Sequence, residues 1–203
     1  MHMAQAPFLR REWSSTDLVS AFRQAWEPFP DFIATLSAHE WDQPCYHVFG
    51  IVPAHSLAHA GLFELVIHSW DIRSALEPSA PLAPDVLPAL LDFFAECPHW
   101  FFLPAARLAT PLRYRFAFLG ARMRPWDIVV EGHQAHIGPA VETAPAAVTF
   151  ACECETFVLL LCGRMGCDAA LRDKRLIATG EPAVVQTFQQ GPPGANGQFV
   201  AVR

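Results

Sequence analysis

LRYRFAFL, residues 112–119, alternates arginine with apolar or aromatic side chains. A period of two marks a strand with one face buried and the other in water. Strand-like segments continue toward the C-terminus. Residues 126–131 and 134–138 flank Gly132-His133 and read as a hairpin, and residues 146–152 read as a further strand. Helices are expected at 153–161, 168–172 and 182–190, with RLIATG (175–180) extended between the last two. The closing GPPGANGQFVAVR is expected to be mobile or packed at an edge.

Toward the N-terminus the period becomes helical. Ser14, Ser15 and Thr16 offer N-caps, and Leu18, Phe22 and Trp26 recur every fourth residue up to Pro28. Phe32, Ile33 and Leu36 continue in a second helical stretch, and residues 39–53 read as a loop with aromatic anchors. A longer helix is expected from about His55 to Leu76, closed by EPSAPLAP. Another follows at 85–97, with Val86, Leu87, Leu90, Leu91 and Phe94 as its apolar stripe. The expected class is therefore α+β. A helical domain over residues 1–104 precedes a mixed domain over 105–203 with a four- to five-stranded sheet.

Composition sets the bounds. The chain has 203 residues, 52% hydrophobic and 17% charged, so it can bury a sizeable core. Fourteen basic residues against twenty acidic ones give a net charge of -6, which argues against a nucleic-acid binder. No apolar run approaches the roughly 20 residues a membrane helix needs. Arg10 and Arg11 are followed by no apolar segment of the kind a secretory signal carries, so a cytoplasmic location is expected. In that setting the six cysteines are expected to be free thiols, their spacing being poor for a four-thiolate zinc site.

The chemistry-bearing stretch is AHSLAHAGLFELVIHSWDIRSAL, residues 54–76. Glu64 and His68 are four apart, so on a helix they share one face. Phe63, Leu65, Val66, Ile67 and Trp70 surround the helix with apolar side chains, which implies burial on most sides. A buried carboxylate beside a buried imidazole needs partners. A divalent metal held by both is one solution, and a hydrogen bond between them, or to backbone or arginine, is another. His55 and His59 form a second such pair on a different face, read as surface or capping residues. His133 and His136 read as turn and strand-surface residues.

Glu64, His68, Trp70 and Asp71 match an E-x-x-x-H-x-W-D signature that resembles the mycothiol-dependent maleylpyruvate isomerase family. The later Glu155-Thr156-Phe157, Gly163-Arg164 and Gly180-Glu181 resemble that family's second domain, so the likeness spans about residues 15–190 in order. The resemblance implies a DinB-like helical bundle followed by a sterol-carrier-protein-like domain. It further implies zinc held by Glu64, His68 and another histidine, and a low-molecular-weight thiol such as mycothiol as cofactor. The bundle helix that carries that other histidine is expected to have no counterpart here, and with it a truncated bundle and self-association, most simply as a homodimer, are expected. Arg73, Arg164 and Arg175 are candidates to anchor a substrate carboxylate. Two function classes stand side by side: a thiol-dependent isomerase or transferase acting on a small unsaturated acid, and a metal-free binder of a small molecule or lipid. A third possibility is a remodelled biosynthetic enzyme that uses the interdomain pocket of the same scaffold for a different, metal-free step.

Overall fold

The computed structural model describes residues 12–47, 50–101, 108–120 and 123–189. The chain divides into two compact units, Met1–His55 and Ser56–Arg203. The expected boundary at 104/105 and the closing GPPGANGQFVAVR lie outside the described residues.

In the first unit, α1 (Ser15–Trp26) opens on a capping box. The Asp17 amide donates to Ser14 Oγ at 3.2 Å and the Ser14 amide donates back to the Asp17 carboxylate at 3.1 Å. Pro28 and Pro30 bracket the start of α2 (Phe29–Ala34), and a second capping box, Ser37 with Glu40, starts α3 (Ala38–Trp41). The segment expected to be a loop instead folds into a hairpin, β1 (Pro44–His47) antiparallel to β2 (Gly50–Pro53). None of α1, α2 and α3 buries a side chain, so among the described residues of this unit the expected bundle core is not formed.

The second unit is built on a sheet. Its strands are β3 (Leu108–Phe118), β4 (Trp126–Gly132), β5 (Gln134–Pro139), β6 (Val148–Cys152) and β7 (Leu176–Gly180). They run in the order β5-β4-β3-β6-β7, antiparallel except where β3 lies parallel to β6. The alternation in LRYRFAFL does what period two requires. Tyr114 and Phe116 pair in register with Ile128 and Trp126 on one side and with Val148 and Phe150 on the other, all buried on one face. Arg113 and Arg115 point to the opposite face, where both meet Asp127, itself only 3% exposed.

The buried face is covered by helices. α4 (Ala54–Leu76) leads through a proline-rich turn and a short 3-10 segment into α5 (Leu87–Glu96) and α6 (Pro98–Phe101). α5 and α6 pack on β5, and α5 also packs on α7 (Cys154–Leu161), the most deeply buried helix. α8 (Cys167–Arg172) and α9 (Pro182–Gln189) flank β7. The two layers meet through rings: Phe157 lies 4.6 Å from Phe116 and 6.2 Å from Phe94, centroid to centroid. Helices α5 and α6 therefore belong with the sheet rather than with a separate helical domain. The result is an α+β architecture with a five-stranded sheet. Gly180 is required where β7 meets β6. At φ +143° a side chain there would bring Cβ to 2.5 Å from the Ala147 carbonyl oxygen.

Candidate functional site

Asp71 joins Glu64 and His68 on α4, and the spacing i, i+4, i+7 puts all three on one side. His68 sits between two carboxylates: Nε2 is 2.8 Å from Glu64 Oε2 and Nδ1 is 3.0 Å from Asp71 Oδ2. Each ring nitrogen thus faces a carboxylate oxygen. The expected deep burial is not found, because α4 buries only Phe63 and Ile67 and lies along the surface of the helical layer. Its outer side chains stay wet, with Glu64 54% and His68 51% exposed. Apolar residues on every side of the helical wheel hid which stripe would find a partner.

Asp71 is fixed from a distant part of the chain. α7 ends in a left-handed Gly163 (φ 67°), with the Gly163 amide donating to the Leu160 carbonyl and the Arg164 amide to that of Leu159. This turn delivers Arg164 to α4. Its Nε donates to Asp71 Oδ1 at 3.0 Å and its NH2 to Oδ2 at 2.7 Å, while NH1 donates to the Cys162 carbonyl at 2.8 Å. The Arg164 guanidinium first, and the His68 ring after it, hold the Asp71 carboxyl below its ordinary range despite partial burial. The fork proposed for a substrate carboxylate is thus engaged by Asp71. Arg73 is exposed and donates to the Pro81 carbonyl at 3.2 Å, and Arg175 is exposed in the turn before β7.

The remaining sequence candidates lie elsewhere. His59 contacts Glu96 of α5 at 2.8 Å, and His55 Nδ1 lies 3.3 Å from the Trp41 carbonyl. His133 is in the β4–β5 turn and His136 is exposed on β5. All six cysteines are unpaired, with Cys152, Cys154 and Cys162 buried. Burial pushes the Cys152 and Cys154 thiols up to about 12 and the Cys162 thiol higher still, so none is poised as a thiolate. Among the described residues no three or more His, Cys, Asp or Glu side chains gather into a metal-binding group.

A different feature escaped the sequence reading. Phe188, the buried residue of α9, sets its ring 4.9 Å from Phe150, 5.0 Å from Tyr114 and 5.7 Å from Phe116, on the inner face of the sheet. Val184 and Val185 are half-buried beside it. The signal available in the sequence was a short amphipathic helix with one aromatic residue near its end.

Taken together, the molecule is an α+β protein with a five-stranded sheet, an aromatic inner face and a carboxylate–imidazole–carboxylate chain on its longest helix. No family model matches the chain, and no curated protein matches it. Among solved structures it is similar to a protein described as "UbiJ-SCP2 Ubiquinone synthesis protein", at 16% identity and TM-score 0.33, covering 71% of this chain and 93% of that one. It is also similar to sterol carrier protein 2 of Yarrowia lipolytica in its apo form, at 10% identity and TM-score 0.33, covering 43% and 70% of the two chains. A sterol carrier protein domain of Helicoverpa armigera matches at 11% identity and TM-score 0.34, covering 61% and 100%. Likenesses of this size assign neither an activity nor a ligand. Among the described residues no helix is long and apolar enough to cross a membrane.

Proposed function

We propose that this protein binds a small apolar molecule of lipid-like character between the inner face of its sheet and α9. The observation that carries this reading is Phe188, which occupies an aromatic floor made by Tyr114, Phe116 and Phe150. Apart from that ring, α9 rests on two half-buried valines, so little apolar surface holds it down. A ligand that takes the place of the ring meets a site already lined for it, mostly apolar and enclosed by a sheet and a helix.

The test is titration of the full chain with a fluorescent long-chain fatty acid. Saturable binding is expected, and Phe188→Ala is expected to tighten it by roughly 10-fold or more, because the ligand no longer has to displace the ring. No saturable binding, or equal affinity in the two proteins, would overturn the proposal. A second reading, a thiol-dependent isomerase, draws on Glu64 and His68 lying in contact on the exposed side of α4. Stoichiometric zinc that survives dialysis of the wild-type protein and is lost from His68→Ala would favour it.

A further inference from the structure

α1 carries its apolar residues on one arc. Leu18, Val19, Phe22 and Trp26 lie on one side, and Asp17, Ser20, Gln24 and Glu27 on the other. In an ordinary surface helix that arc would be buried, yet α1 and the following α2 bury nothing. Phe22 is 56% exposed and Phe32 59%, with Leu18, Val19, Trp26 and Phe29 also exposed. The rings are already ordered among themselves: Phe22 stacks on Trp26 at 6.2 Å, and Trp26 meets Phe29 at 5.3 Å. With a full aromatic side chain presenting roughly 200 Å², these six residues expose roughly 550 Å² of apolar surface. That is near the upper end of what a monomer leaves open.

We propose that this ridge of α1 and α2 is a homodimer interface, with α1 of one copy packed antiparallel on α1 of a second and the α2 rings closing its edges. Three observations favour a second copy over other occupants. Leu18, Phe22 and Trp26 are spaced symmetrically about Phe22, so a two-fold axis there sets Leu18 of one copy against Trp26 of the other, a self-complementary contact. Two such ridges, each of α1 together with Phe29 and Phe32 of α2, present about 1,100 Å² of apolar surface in all, close to the roughly 1,000 Å² that a specific interface needs. Finally, residues 1–55 carry six carboxylates against Arg10, Arg11 and Arg23, which disfavours an anionic lipid surface or a nucleic acid.

Sedimentation velocity on the full chain is expected to show a dimer at micromolar concentration. Phe22→Glu places two carboxylates at the two-fold axis and is expected to weaken the dimer by roughly 100-fold or more, with the circular dichroism spectrum unchanged. In a second variant, Phe22→Cys, mild oxidation is expected to give a reducible covalent dimer in a yield well above that of the wild type. A wild-type protein that stays monomeric at tens of micromolar would overturn the proposal. So would a dimer indifferent to Phe22→Glu, or a monomer that instead binds phosphatidylcholine vesicles through the ridge.

Discussion

The two compact units use the same residue types to opposite effect. In the first, Phe22 and Trp26 follow a helical pattern behind a capping box and Phe29 and Phe32 follow in the next helix, yet all four are exposed. In the second, Phe94, Phe116, Phe150 and Phe157 are fully buried and lock a helical layer to a sheet. Propensity and capping make a helix in either setting, but only a facing surface turns an aromatic stripe into a core. The sheet supplies that surface because its period-two face gathers five strands' worth of apolar side chains in one plane.

The sharpest way to break this contrast is a pair of truncations. Phe157→Ala is expected to cost about 4 kcal/mol in chemical denaturation, since a fully buried ring leaves a cavity. Phe22→Ala, measured below the concentration at which copies associate, is expected to shift the same transition by less than about 0.5 kcal/mol. Equal losses would mean that the ridge of α1 is part of a core after all.

A smaller effect is expected on the outer face of the sheet. Asp127 accepts from Arg113 NH1 at 2.7 Å and from Arg115 Nε at 2.9 Å. Arg115 also donates to the Val141 and Ala144 carbonyls, clamping the turn before β6 onto β3 and β4. Burial opposes ionisation of Asp127, but the hydrogen bonds from Arg115 and Arg113 prevail and hold its carboxyl below its ordinary range. Its contribution is therefore complete at neutral pH and is lost as pH falls through the ordinary aspartate range to the lowered native value. Asp127→Ala is expected to cost about 3 kcal/mol at pH 7 by stranding two guanidinium groups. The variant should also lose less stability than the wild type on acidification, and parallel pH profiles would contradict the linkage.

A small effect is also expected at the exposed chain on α4. His68→Ala removes both of its contacts, but with the ring and Glu64 half in water the cost is expected to be below about 1 kcal/mol. A loss of several kcal/mol would show that α4 is covered on its outer side in solution.

The strands were legible in the sequence because alternation is a local signal, and β3 to β6 lie close to where LRYRFAFL and its neighbours put them. RLIATG, read only as extended, is the edge strand β7. The β1–β2 hairpin was missed because it has no buried residue, so its sequence carries no hydrophobic alternation to read. At the candidate site the Glu64–His68 contact followed from i, i+4 spacing. The role of Asp71 did not, because its partner Arg164 lies 93 residues away in the chain. Phe188 was equally silent, since an aromatic residue in a short helix says nothing about which face it will meet.

The sequence by itself determined the local elements: helices where caps and a 3.6-residue period coincide, strands where polarity alternates, and breaks at proline and glycine. It also determined that Glu64, His68 and Asp71 share one side of a helix. Only the tertiary structure decided that this side stays in water and that α5 and α6 belong to the sheet. The guanidinium of Arg164 meets Asp71 only because a left-handed glycine turns the chain back after α7. Those outcomes depend on which surfaces meet across long sequence separations, and a pattern that repeats every two or four residues carries no information about that.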